Sequence, residues 1–121
     1  AERVVQSVIH VSQPEKLALL AHLLVSEDVA STIVFTRTKH GADRVVRQLA
    51  AHKIAAEAIH GNRSQAQRTR ALTAFRSGEI KVLVATDIAA RGLDIPAVSH
   101  IFNYELPNVP EQYVHRIGRT A

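Results

Sequence analysis

The sequence contains no cysteine, which rules out disulfides and thiolate metal sites and leaves the redox compartment open. No apolar run approaches the roughly 18 residues that a membrane-spanning helix needs. No signal peptide opens the chain, so no membrane is expected and the cytoplasm is the default location. The 7 histidines are scattered, and no pair at helical metal-ligand spacing has a third ligand to complete it. Surface or hydrogen-bonded roles are therefore expected of them, and no metal site. A Gly-x-Ser-x-Gly elbow is absent. So is a Gly-x-x-x-x-Gly-Lys-Ser/Thr loop, without which this chain cannot cradle a triphosphate as a complete P-loop enzyme does.

What is present fits one soluble globular domain. A length of 121 residues can bury a single core. A hydrophobic share of 46% against 21% charged is ordinary for a folded protein and unlike a disordered one. The formal charge is +4, and 11 of the 15 basic residues are Arg, whose planar fork suits phosphate oxygens. That balance is compatible with nucleic acid without establishing it.

Short apolar β-type runs alternate with helical patterns, the mark of a parallel sheet with helices on its faces. Strands are predicted at Val4 to Val11, Thr32 to Phe35, Ala55 to Ile59, Lys81 to Thr86 and Ser99 to Tyr104. Pro14 fits a first helical position, and Leu17, Leu20, Ala21 and Leu24 follow at helical spacing. Thr38 can cap a helix whose apolar face is Ala42, Val45, Val46 and Leu49. Ser64 with Gln67 makes a capping-box pattern for a helix that Gly78 stops. A polar loop is expected from Asp87 to Pro96, and a last helix from about Pro110. The fold predicted is an α/β three-layer sandwich with a mainly parallel sheet.

In such sheets ligands bind at the carboxyl ends of the strands. Four segments then require inspection: Thr36 to Lys39, His60 to Arg68, Thr86 to Asp94, and the turn into the last helix. In the second, Gly61 lets backbone approach a ligand, the new helix offers free N–H groups, and Arg68 lies one turn in. An ordinary glycine turn with a capped helix and a solvated Arg would read the same way. In the third, the Asp94 carboxylate could accept hydrogen bonds from a ribose, or Asp87, Arg91 and Asp94 could form a structural ion-pair cluster. Physical chemistry alone does not separate the two. In the fourth, Arg116 and Arg119 stand three apart around Gly118, an arrangement suited to charge on a transferring phosphoryl group or merely to a helix end.

Taken in order and spacing, these segments resemble the conserved motifs of the second RecA-like domain of superfamily 2 helicases. Ile33-Val34-Phe35-Thr36-Arg37-Thr38-Lys39 is similar to motif IV, and Gln65-Ala66-Gln67-Arg68 to the Gln-x-x-Arg motif. Ala85 to Asp94 is similar to motif V, and His115-Arg116-Ile117-Gly118-Arg119-Thr120 to motif VI. The wording resembles DEAD-box RNA helicases most, with stretches similar to bacterial RhlE-type members. The likeness covers essentially all of residues 1–121, and motifs V and VI together are highly specific.

The resemblance implies a RecA-like domain, and a role as half of an ATP-driven machine. Asp94 and Arg91 then belong to the nucleotide site, Arg91 also coupling the two domains around ATP together with His115 and Arg116. Arg119 is implied as the arginine finger facing the γ-phosphate. Gly61, Gln65, Arg68 and Thr86, with Arg37 and Thr38 beside them, are implied as contacts to the RNA sugar–phosphate backbone. ATP and Mg²⁺ are expected to be held mainly by an N-terminal RecA-like domain of the same protein, which would be a partner alongside single-stranded or duplex RNA. The isolated chain is accordingly expected to be inactive. The family pattern continues past Ala121 with a further Arg, so truncation just after motif VI is expected. Two other readings compete: a DNA translocase domain of the same superfamily, against which His115 argues, and a non-catalytic RNA- or nucleotide-binding module.

Overall fold

A computed structural model describes residues 13–25, 30–90, 98 and 100–105. The elements run α1 (Gln13–Leu24), β1 (Thr32–Thr36), α2 (Lys39–Ala51), β2 (Ala56–Ile59), α3 (Gln65–Ser77), β3 (Val82–Thr86), α4 (Asp87–Ala90) and β4 (His100–Asn103). The strand expected at Val4 to Val11 and the helix expected from Pro110 lie outside the described residues.

The four strands form one sheet in the order β2-β3-β1-β4, and every pairing is parallel. β1 and β3 are buried at all positions, as strands covered on both faces must be. Successive side chains point to opposite faces, so each strand feeds two cores. Ile33 and Phe35 join Leu83, Ala71, Leu72 and Phe75 beneath α3. Val34 and Val84 join Ala42, Val45, Leu49, Leu20 and Leu24 beneath α2 and α1. These are the three layers that the sequence pattern predicts. Complete burial of side chains the size of Ile33, Leu49 or Leu83 stabilises by about 1.5–3 kcal/mol each.

Local chemistry sets the helix ends. Thr38 has extended backbone, and its Oγ1 accepts the Gly41 N–H at 3.0 Å. Ser64 Oγ accepts the Gln67 N–H at 3.1 Å while Gln67 Oε1 accepts the Ser64 N–H at 2.8 Å, completing the capping box. Gly78 ends α3 at φ 82°, a left-handed conformation that favours glycine.

One expectation is corrected. The polar loop predicted from Asp87 onward begins instead as a helix, α4, directly after β3. Ala89 and Ala90 are buried in the Ile33–Phe35 core, so packing draws these alanines, good helix formers, into a turn of helix.

The direction of each connection decides where the loops open. The crossover β1–α2–β2 and the crossover β2–α3–β3 run opposite ways across the sheet, and right-handed crossovers then require α2 and α3 on opposite faces. They are so placed. From β3 the chain continues to β4 with α4 on the α3 face, whereas from β1 it turns to the α2 face. The carboxyl ends of the neighbouring strands β1 and β3 therefore flank the topological switch point, where open α/β sheets bind ligands.

Candidate nucleic-acid interface

Thr36 and Thr86 are paired in register at that point, both buried. Thr36 Oγ1 donates to the Thr38 carbonyl at 3.2 Å and so shapes the bend into α2. Arg37 is exposed on the bend, and its backbone N–H donates to Glu105 Oε1 at 3.1 Å. Glu105 is brought there by β4, because the N–H groups of Tyr104 and Glu105 both donate to the Phe35 carbonyl, at 3.0 and 3.2 Å. A Cβ at Gly41 would stand 3.0 Å from both Glu105 Oε1 and Thr38 Oγ1, so a hydrogen at that position is what admits the carboxylate. Lys16 of α1 adds a hold on the same end of β4, donating to the Tyr104 carbonyl at 3.0 Å with its ammonium 5.0 Å from the ring centroid. The Tyr104 phenol is pushed above its ordinary range, first by burial and then by the Glu105 carboxylate, against the opposing charge of Arg44.

The second wall is the turn between β2 and α3. His60 is buried, its Nε2 lies 2.8 Å from Asp43 Oδ1 on α2, and its Nδ1 accepts the Asn62 N–H at 3.1 Å. The His60 carbonyl accepts from the Arg63 N–H at 3.0 Å and from Arg68 Nη2 at 3.3 Å. Arg63 also reaches Glu57 at 3.1 Å, and Lys39 Nζ reaches Asn62 Oδ1 at 3.2 Å. Buried Nε atoms of Arg63 and Arg68 have no hydrogen-bond partner among the described residues.

Gly61 is exposed, a Cβ there would meet nothing within 4 Å, and its φ is not in the left-handed region. Among the described residues neither space nor backbone calls for glycine at this position, so it leaves room for close approach to the turn. Gln65, exposed, opens α3, and Arg68 is half-buried one turn further on.

The structure thus brings Arg37, Thr38, Gly61, Gln65, Arg68 and Thr86 to one edge of the sheet, on three adjacent connections. Thr38 spends an acceptor site on its cap, but a hydroxyl keeps its own O–H to donate. Arg91, Asp94, His115, Arg116 and Arg119 lie outside the described residues. Among the described residues no three His, Cys, Asp or Glu side chains come together to hold a metal ion, and no helix is long and apolar enough to cross a membrane.

Sequence reasoning placed Lys39 and Asn62 in the segments at this edge without a role, and missed Asp43 and Glu105 as members of it. Nothing local marks them, because Asp43 meets a histidine 17 positions away and Glu105 an amide 68 positions away.

A doubly wound parallel sheet with arginine, threonine and glycine at its carboxyl edge has the build of a RecA-like motor domain. A family model described as helicase conserved C-terminal domain matches residues 15–121. The ATP-dependent RNA helicase DeaD of Mycobacterium tuberculosis (strain CDC 1551 / Oshkosh) is 48% identical over 121 residues, covering 100% of this chain and 21% of that protein. The chain therefore spans about a fifth of the length of that curated relative. Among solved structures, the E. coli DEAD-box protein SrmB, bound to regulator of ribonuclease activity A, superposes with a TM-score of 0.84 at 42% identity, over 89% of this chain and 64% of that one. S. cerevisiae Dbp5 bound to RNA and ADP BeF3 gives a TM-score of 0.77 at 35% identity, over 88% of this chain and 29% of that one. The chain belongs to the helicase conserved C-terminal domain family, in its DEAD-box group.

Proposed function

We propose that residues 1–121 form the second motor domain of an ATP-dependent RNA helicase, acting in the cytoplasm. In this reading the domain closes with an N-terminal RecA-like domain over ATP and a single RNA strand, and bending of that strand opens short duplexes locally. The observation that carries it is Arg68, held against the His60 carbonyl beside an exposed glycine whose Cβ position is open among the described residues. A cation, an exposed glycine and the start of a capped helix then lie together on one turn, a donor set that suits a phosphate oxygen. Gly61, Gln65, Arg68 and Thr86 would follow the RNA backbone, with Arg37 and Thr38 on the neighbouring bend. None of these groups reads a base edge, so binding is independent of sequence and weakens with salt. The wording of two stretches that resembles RhlE-type members narrows the group further in this reading.

ATP supplies the phosphoanhydride bond whose cleavage drives the cycle, with Mg²⁺ held by the N-terminal domain. The part assigned to this chain is positional. Asp94 accepts hydrogen bonds from the ribose, while Arg91, Arg116 and His115 couple domain closure to the nucleotide. Arg119 brings a planar cation to the γ-phosphate, where charge develops as the bond breaks.

The test is a salt titration of RNA binding by the full-length helicase carrying this chain. Arg68→Ala should weaken binding alike across RNA sequences and lower the salt slope by about one unit, as expected for one lost phosphate contact. An unchanged slope would return Arg68 to a surface charge.

A further inference from the structure

The turn that presents Gly61 and Arg68 is held from one side by a closed ring of four residues. It begins on α2 at Asp43, passes through His60 to Asn62, and returns to α2 at Lys39, one helical turn before Asp43. The proton arrangement follows from the donors. The Asn62 N–H at 3.1 Å can only donate, so His60 Nδ1 must accept and carries no hydrogen. The ring proton is then on Nε2, which donates to Asp43 Oδ1 at 2.8 Å. The contact is therefore a hydrogen bond from a neutral imidazole to a carboxylate, not an ion pair with an imidazolium. Were the proton on Nδ1, it would face the amide hydrogen of Asn62 and the turn would lose that bond.

His60 is 2% exposed, so its ring has no water to replace a lost partner. Its carbonyl is the acceptor that Arg68 Nη2 reaches at 3.3 Å. Gly61 lies between His60 and Asn62, which the imidazole ties together, and among the described residues nothing else comes within 4 Å of where its Cβ would be. The His60 ring thus fixes the far end of the Gly61 turn through the Asn62 N–H, and the backbone carbonyl of the same residue receives the Arg68 fork.

We infer that Asp43 and His60 are positioning residues for RNA binding: Asp43 selects the Nε2–H tautomer of His60, which keeps Nδ1 available to fix the Gly61–Asn62 turn and the Arg68 fork. This inference rests on the proposed RNA contacts of that turn. Asp43 touches no RNA in it, and its carboxylate carries the charge that by itself repels a phosphate backbone.

That sign provides the test. Asp43→Ala and Asp43→Asn remove the same negative charge, but only Asn keeps an oxygen that can accept the Nε2–H. In the full-length helicase with a labelled single-stranded RNA and a non-hydrolysable ATP analogue, Asp43→Ala should weaken RNA binding by about three- to tenfold, the worth of one hydrogen bond. Asp43→Asn should bind as well as the parent or better. The Asp43 side chain is 41% exposed, so both variants should fold, and thermal unfolding confirms it. Equal affinity of the two variants, or tighter binding by Asp43→Ala than by the parent, would overturn the inference. A second pair repeats the test at the ring. His60→Asn places an oxygen near the Nδ1 position and should bind RNA more tightly than His60→Gln, whose amide reaches toward Asp43 and leaves the Asn62 N–H without an acceptor; the reverse order would count against the tautomer lock. Arg68→Ala in the same assay separates the two failures. If it lowers the salt slope while the Asp43 variants bind alike, only the positioning role falls; if its slope is unchanged, the RNA contact falls with it.

Discussion

Thr36 and Thr86 stand opposite each other as the last registered pair of the β1–β3 ladder, and the chain leaves them toward opposite faces of the sheet. From Thr36 it turns into α2, which packs Ala42, Val45 and Leu49 on the Val34 side. From Thr86 it runs straight into α4, which packs Ala89 and Ala90 on the Phe35 side. The two exits diverge at the switch point between β1 and β3, with the bend at Arg37 following β1 and the turn at Gly61 following β2, the strand on the far side of β3.

The proposed finger makes a prediction about turnover. In the full-length helicase, Arg119→Ala should cut kcat by about two or more orders of magnitude, the scale of a lost transition-state charge clamp. RNA binding without nucleotide should barely change, since the contact forms on closure. Arg119→Lys should rescue little, because a point charge on a flexible stem does not reproduce the planar fork. Normal kcat with a stability loss of about 0.3–1 kcal/mol would instead identify a helix-end cation.

The capping box carries a prediction about stability. Ser64 is exposed, so Ser64→Ala opens no cavity and removes only the acceptor for the Gln67 N–H. Unfolding free energy should fall by about 1 kcal/mol, read as a lower urea midpoint at unchanged slope. Ser64→Asp, which keeps an acceptor at the N-cap and complements the helix dipole, should stay close to the parent. An unmoved midpoint in Ser64→Ala would show that the box contributes nothing to the native state.

Tyr104 ties stability to alkaline pH. Burial, aided by the Glu105 carboxylate, raises its folded pKa above the ordinary value of 10.0. A raised folded value means that the native state holds the phenolic proton more tightly than the unfolded chain. The resulting contribution is fully present below pH 10.0 and is lost as pH rises through the folded value. Tyr104→Phe cannot ionise, so its stability should decline less than the parent's across that alkaline window. Parallel stability–pH curves for the two proteins would contradict the assignment.

Much of the fold was legible in the sequence because its causes are local. Thr38, Ser64 with Gln67, and Gly78 act within one helical turn of themselves, and each ends or begins its helix where the residue type requires. The runs at Thr32 to Phe35 and Lys81 to Thr86 could be recognised as central strands because burial on both faces removes the polar alternation. Gly61 and Arg68 could be picked out as a glycine turn and a cation one turn into a new helix, whereas Gln65 came only with the resemblance to the Gln-x-x-Arg motif. Tertiary structure decided the rest. Asp87 to Ala90 became helical because the alanines found a core to pack into, and four residues read in isolation do not reveal that core. The links from Asp43 to His60 and from Arg37 to Glu105 join elements 17 and 68 positions apart, so they exist only once the strand order has placed α2 beside the β2–α3 turn and β4 beside β1. Hydrogen bonds of this kind depend on two atoms meeting at about 3 Å with the right orientation, and no pattern along the chain encodes a meeting that the sheet topology alone arranges.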